Sequence, residues 1–333
     1  MEMLKEINFI EQISFRHRFW LIISILFLMN SSTILANQLA NQNNRSSTRV
    51  TEIKHEGKEL TAKVDNLRKK LYIKDSVLES KIKAQEQIVN NPYGIAFDEP
   101  TYILPYYYTG KPDTDVYPPD QNPANQSIKS AEFKGQLSLL FPLWRHLFKG
   151  VGLFVSYTQL SYWQFYTKSQ YFRETNYEPA IFLSRHILSN AEWRLGLVHQ
   201  SNGRGLPYER AWNRVFLDFR ISGQKWLVSL KGWTLIFKND SSNIHNPDIT
   251  DYLGYGRVLI AYKVHRQTLS LMVRNAIESR FKRGTVQFMW SFPLFNTKLK
   301  GMLEFFSGYG QSLIEYNHYT NSAGIGIALS DWI

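Results

Sequence analysis

The sequence predicts an all-β protein: a twelve-stranded antiparallel transmembrane β-barrel with an N-terminal helical extension. Three observations predict it. From Thr101 onward, apolar and polar residues alternate with a period of two in run after run, the mark of strands that face two different media. The connections between runs are alternately short and long, as in a barrel with tight turns on one rim and loops on the other. Of the 333 residues, 15% are aromatic, with Tyr and Trp gathered near the run ends where a membrane boundary would lie.

Composition removes several function classes. The chain has no cysteine, so disulfide scaffolds, thiolate zinc sites, iron–sulfur ligation and cysteine nucleophiles are excluded together. A mean hydropathy of -0.31 is too low for a bundle of membrane helices, each of which needs an apolar run of about 20 residues. The net charge of +11 invites a nucleic-acid reading. The basic residues are scattered, however, and no helix-turn-helix, RNP or zinc-finger spacing accompanies them. Solubility or attraction to acidic lipid accounts for the charge equally well.

The elements follow in order. Lys5, Arg16, His17 and Arg18 precede the apolar stretch 19–29, and a small residue, Ala36, closes the segment. That order reads as a secretory signal over residues 1–36, the run being short for a membrane anchor. Residues 37–48 are polar. From Val50 to about Ile88 the period becomes helical, with Leu60, Val64, Leu67, Leu71 and Leu78 on one stripe and Lys74 and Lys81 interrupting it. This predicts either an amphipathic or coiled-coil helix or a solvated connector, within a periplasmic extension over residues 37–98. Asn90-Asn91-Pro92 stops it, and the barrel takes residues 99–333. The twelve strands are predicted at 101–110, 131–144, 149–160, 174–187, 190–201, 212–222, 224–237, 251–264, 267–277, 283–292, 297–309 and 320–333. A soluble sandwich or lipocalin-like barrel alternates in the same way. The export signal and the aromatic load favour the membrane.

Parity assigns faces. Trp193, Leu195 and Leu197 point to lipid, whereas Lys134, Gln136, Ser156, Arg214, Asp218 and Arg220 point to the lumen, where they predict an ion-paired filling and a plugged barrel. Continuing the outward parity of the fifth strand gives His199 and then Ser201, and on the sixth strand Asn213 shares the parity of Val215, Leu217 and Phe219. Three polar residues thus interrupt one lipid-facing surface, where polarity costs free energy and marks function. A lone His-x-Ser pair is common by chance; a patch of three on the membrane face is not. The residue types suit a hydrolytic triad, with Ser201 as nucleophile, His199 as base and Asn213 as the group that orients the imidazole. An i, i+2 spacing on a strand places His199 and Ser201 about 7 Å apart at Cα, within side-chain reach.

The run His199-Gln200-Ser201-Asn202-Gly203-Arg204, followed by Trp212-Asn213-Arg214, resembles the active-site hairpin of the bacterial outer membrane phospholipase A family. So do Phe172-Arg173-Glu174-Thr175-Asn176-Tyr177-Glu178-Pro179 and Ser307-Gly308-Tyr309-Gly310-Gln311-Ser312. The likeness runs from about residue 131 to the end. It implies a twelve-stranded outer-membrane barrel whose calcium-dependent homodimer hydrolyses phospholipid acyl esters, with His199, Ser201 and Asn213 in the triad roles. It further implies an oxyanion donor at the Gly203 N–H, and calcium held by the carbonyls of Arg204 and a residue near Glu209 together with the hydroxyl of Ser169 of the partner subunit. The chain departs from the family in having Gln200 between the His and the Ser where an acidic residue is usual, Leu206-Pro207 where an Asp-Pro is usual, and Ile244-His245 ahead of Asn246-Pro247-Asp248.

Parity also turns Gln159 towards lipid, where an unpaired carboxamide is costly. Either a bulge or the membrane boundary leaves it hydrated, or, as the resemblance implies, it meets its counterpart across a two-fold dimer interface. Two other functions fit parts of the pattern. A lipid A deacylase shares the outward His-x-Ser logic but is a smaller barrel with a carboxylate where Asn213 stands, and a passive porin leaves the lipid-facing triad without a role.

Overall fold

The computed structural model describes residues 47–89, 96–148, 150–236, 246–275, 279–280, 282–295 and 297–333. The predicted export signal and the Asn90-Asn91-Pro92 stop lie outside them. Two compact units divide the chain, Met1–Tyr72 and Ile73–Ile333. In the first is helix α1, Ser47–Leu71. The second holds helix α2, Val77–Val89, and a closed antiparallel barrel of twelve strands. These are β1 Thr101–Thr109, β2 Ala131–Phe148, β3 Val151–Trp163, β4 Phe172–Leu188, β5 Ala191–Ser201 and β6 Ala211–Ser222. They continue as β7 Trp226–Leu235, β8 Gly256–Val264, β9 Gln267–Arg274, β10 Thr285–Pro293, β11 Lys300–Tyr309 and β12 Tyr319–Ser330. Each strand pairs with its neighbours in sequence, and β1 closes on β12, so no edge is left open.

All twelve strands lie where alternation places them, and the departures have local causes. The strand expected from residue 251 begins at Gly256, because Ile249–Leu253 forms a short helix, α3, that buries Ile249 and Leu253. The single helical stretch expected over 50–88 is two helices. Asp75 adopts a left-handed φ of 55°, and Ser76 Oγ then accepts the Glu79 N–H at 3.1 Å while a Glu79 carboxylate oxygen accepts the Asp75 N–H at 3.0 Å. This is close to a capping box, with the carboxylate reaching one residue further back than usual, and it starts a new helix. Leu78 therefore leaves the stripe of α1. Together with Val77 it packs against Leu227, Leu259, Ala261 and Trp332 of the barrel.

Burial follows parity around the barrel. Outward positions such as Leu195, Leu197, Leu217, Ile260, Phe305 and Ile325 are exposed, forming the apolar band that a bilayer solvates. Inward positions combine apolar clusters, such as Leu140, Phe182, Val198, Trp212 and Phe216, with ion pairs. Arg173 bridges Glu132 and Glu315 at 2.7 and 2.9 Å, Arg220 holds Asp218 at 2.7 Å, and Arg214 meets Glu178 at 2.9 Å. The segment after α2 joins this filling: Ala96 bridges to Leu140, Asp98 pairs with Arg194 at 2.6 Å and Glu99 with Arg257 at 2.5 Å. These charges persist this deep because each has a partner, and together with the apolar clusters they fill the lumen, so the barrel is plugged, as the sequence predicts. The outside, not the lumen, presents whatever surface the protein offers to lipid.

Candidate active site

Strands β5 and β6 form a hairpin whose register sets His199 opposite Asn213 and Ser201 opposite Ala211. His199 Nδ1 and Asn213 Oδ1 are 2.8 Å apart. An amide oxygen only accepts, so this contact assigns the imidazole proton to Nδ1 and leaves Nε2 as the free base. His199 is exposed and Asn213 half-buried, both on the outward parity, and Ser201 stands two residues further along β5 on that face. The three residues of the predicted triad therefore share one patch of the lipid-facing surface, at the long-loop rim.

The loop after Ser201 is shaped by Asn202, which is buried and points the other way. Its side-chain oxygen accepts the N–H groups of Arg204 and Arg210 at 3.3 and 2.9 Å, its amide donates to the Tyr208 carbonyl at 2.9 Å, and its backbone N–H donates to the Arg210 carbonyl at 3.0 Å. One carboxamide thus closes the loop on itself, directly after Ser201. Gly203 takes a φ of +64°, and a Cβ there would stand 3.0 Å from the Tyr177 ring. Tyr177, on β4, lies opposite Ser201 of β5 and opposite Gln159 of β3, so one lateral row links Gln159, Tyr177 and Ser201. Sequence reasoning did not single out Asn202 or Tyr177, although both lie in the quoted runs; an Asn immediately after a candidate nucleophile, where the chain must turn, is the signal that could have found the first.

Behind the patch, the lumen side of the same strands is locked. Gln200, between His199 and Ser201, accepts from Trp212 Nε1 at 2.7 Å and from Arg214 Nη2 at 3.2 Å. Asn246 exchanges two hydrogen bonds with the Ala211 backbone, both 3.1 Å, and so fixes the start of β6 two residues before Asn213. Arg204 pairs with Glu174 at 2.9 Å, donates to the Arg173 carbonyl, and lies over the Tyr117 ring at 5.5 Å. Burial pushes the Tyr117 phenol above its ordinary pKa, which keeps it neutral beside two guanidinium groups.

The expected calcium ligands are oxygens in two loops of the same rim. No group of three or more His, Asp or Glu side chains able to hold a metal occurs among the described residues. Among those residues no described hydrogen bond uses the Arg204 carbonyl, and the Glu209 carbonyl accepts one from Arg210 at 2.7 Å. Ser169, in the β3–β4 loop, engages Gln126 and Thr167 through its backbone, and no described hydrogen bond uses its hydroxyl. Backbone carbonyls and a hydroxyl are the donor chemistry a hard cation takes, so the set fits calcium, though no described contact brings Ser169 to Arg204 or Glu209 within one chain. The carboxamide of Gln159 faces outward as parity requires, but it is not unpaired: it accepts from the Tyr157 hydroxyl at 2.8 Å and donates to Ser161 Oγ at 3.2 Å.

Comparison with known proteins places this hairpin in context. The family model for Phospholipase A1 matches residues 78–329. A relative from Neisseria meningitidis is 35% identical over 254 residues, 72% of this chain and 66% of its own length. Among solved structures, the Salmonella typhi outer membrane phospholipase dimer with bound calcium superimposes with a TM-score of 0.66 at 33% identity, covering 73% of this chain and 97% of that one. The outer membrane phospholipase A of Escherichia coli gives 0.68 at 32% identity, covering 77% and 100%. Likeness of this extent, running through every strand that carries the patch, means that the chain belongs to the phospholipase A1 family of outer-membrane β-barrels.

Proposed function

We propose that the protein hydrolyses acyl ester bonds of phospholipids in the outer leaflet of the outer membrane, as a calcium-dependent homodimer that uses Ser201, His199 and Asn213. The observation that carries this reading is the His199–Asn213 hydrogen bond on a lipid-facing surface that also bears Ser201. An ester carbonyl at the membrane boundary reaches that surface from the lipid side, without leaving the bilayer for the lumen. Residues 1–36 serve as the export signal, 37–98 as a periplasmic extension and 99–333 as the catalytic barrel.

The chemistry follows from the groups present. Ser201 Oγ attacks the acyl carbonyl carbon while its proton passes to His199 Nε2, and the carbonyl electron pair moves onto oxygen. The Gly203 N–H donates to that oxyanion. His199 then returns the proton to the departing glycerol oxygen, and the acyl chain is left on Ser201. Water, deprotonated by the same imidazole, releases the fatty acid. Asn213 holds the ring through both halves; being neutral, it orients the imidazolium but stabilises it less than a carboxylate would. The carbonyls of Arg204 and Glu209 and the hydroxyl of Ser169 of the partner subunit would hold a calcium ion, which when bound would supply positive charge that favours the oxyanion.

The test is turnover of phosphatidylcholine in detergent micelles. Ser201→Ala and His199→Ala are expected to lose activity by about 10⁴-fold or more, and Asn213→Ala by roughly 10- to 100-fold, since His199 loses its orientation but keeps its proton-accepting nitrogen. All three should retain the heat-modifiable gel mobility of a folded barrel. Wild-type turnover in folded Ser201→Ala protein sinks the assignment, and undiminished turnover in chelator removes calcium from it.

A further inference from the structure

Helix α1 is not needed to build the barrel, and its sequence carries a pattern of its own. Val50, Ile53, Gly57, Leu60, Val64, Leu67 and Leu71 follow one another at spacings of three and four throughout, so all seven fall on the a and d positions of a heptad. Six of the seven are apolar. Val occupies two of the a positions and Leu two of the d positions, the choice that favours two parallel strands over higher assemblies. In the monomer Leu60, Val64 and Leu67 are only partly covered, whereas Thr61, Ala62, Asp65 and Asn66 between them are exposed. Lys63, beside the seam, is held at 2.8 Å by Glu59 of its own helix. A 25-residue helix with glycine in its middle gains little from propensity alone, and needs a partner for its apolar stripe.

Symmetry selects the partner. Two barrels inserted the same way in one membrane are related by a two-fold axis along the membrane normal, and that axis brings equivalent helices together parallel and in register. This is the arrangement in which a meets a and d meets d. The chain leaves α1 for the barrel through only Tyr72–Asp75, after which Ser76 Oγ bonds the Ser189 carbonyl at 3.0 Å, the Val77 N–H the Gly223 carbonyl at 2.9 Å and the Leu78 N–H Ser222 Oγ at 3.1 Å. These anchors sit on the short-turn rim, opposite the active patch. Four linker residues on each side span about 14 Å, roughly 28 Å for the pair.

We infer that α1 pairs with α1 of a second copy as a parallel two-stranded coiled coil beneath the membrane, tethering two barrels before their membrane faces meet. This rests on the proposed homodimer and adds to it. The tether raises the effective concentration of one barrel at the other to the order of millimolar. Pairing of the catalytic faces then depends less on protein density in the membrane.

The absence of cysteine makes the test direct. In the full chain, Leu60→Cys and Leu67→Cys, both at d, should each cross-link to the same residue of the second copy under mild oxidation. Ala62→Cys, on the opposite side of the helix, should not. Cross-linking at neither d position, at only one of them as antiparallel pairing would give, or equally at Ala62, overturns the inference. The double variant Val64→Asp, Leu67→Asp should raise at least tenfold the protein concentration needed for half-maximal turnover in detergent, with kcat at high concentration unchanged; no shift argues against a tether. The same cross-links examined in Gln159→Ala protein separate the two readings. Seam cross-links that persist while turnover is independent of dimerisation would discard the membrane-face dimer alone. Calcium-driven dimers without seam cross-links would discard the tether alone.

Discussion

Gly203 shows how much a single position asks of its residue. Its φ of +64° lies in the left-handed region, where a side chain costs about 1–2 kcal/mol, and the Tyr177 ring leaves a Cβ only 3.0 Å. Gly203→Ala is therefore expected to swing the N–H away from the carbonyl oxygen and lower kcat by about tenfold or more, with KM little changed and the barrel intact. Gly205→Ala, two residues on, meets nothing within 4 Å and should behave as wild type. Equal activity in the two variants would take the oxyanion role from Gly203. At this scale the outward patch was legible because parity is unforgiving: His199, Ser201 and Asn213, the proposed triad, stand where Leu or Val would otherwise be. Tyr177 was not legible, since a tyrosine on an outward strand is ordinary and its contact with Gly203 exists only once β4 and the loop after β5 are brought together.

At the scale of the element, the hairpin β5–β6 carries two sets of instructions, one on each face. Outward residues include the proposed triad; inward residues hold the strands in register. Gln200 belongs to the second set, since its side-chain oxygen takes both the Trp212 indole N–H and an Arg214 N–H. Gln200→Leu leaves the buried indole donor without its acceptor, a loss of about 1–3 kcal/mol. It should lower the urea midpoint of the barrel and reduce turnover several-fold through β6 and Asn213. Gln200→Glu keeps the acceptor and adds a charge beside Arg214, so it should retain both; if the Glu and Leu variants lose turnover alike, the acceptor is not what the position supplies. Strands were readable as elements because alternation survives small errors of boundary. The break between α1 and α2 was hidden because Leu71 and Leu78 are seven residues apart, so the apolar phase runs straight across it. The signal for the break was still in the sequence, in Ser76 followed three residues later by Glu79.

For the whole molecule, the closed barrel divides its polarity in an unusual way, with ion pairs sealed inside and the residues of the proposed triad turned to lipid. Activity can then be governed by what covers the outer face, and Gln159 is where that cover would be felt. It lies in the lateral row that passes through Tyr177 to Ser201. Its amide oxygen takes one hydrogen bond from Tyr157 and its NH₂ group gives one to Ser161, leaving one acceptor and one donor position unused. Two such amides facing each other across a two-fold axis complete each other, each donating once and accepting once, while Tyr157 and Ser161 hold the side chain ready. In apolar surroundings, away from competing water, that exchange is stronger than it would be on a wet surface. Gln159→Ala removes both halves of the contact at once. The variant should fold normally and show weaker calcium-induced dimerisation, with turnover reduced several-fold at low protein-to-detergent ratio and recovering as the ratio rises. A residue acting in catalysis itself would lower turnover at every ratio, so the recovery separates the two roles. A Gln159→Ala protein that cross-links and turns over like wild type at the lowest ratio would show that the outer face is governed from somewhere other than this row.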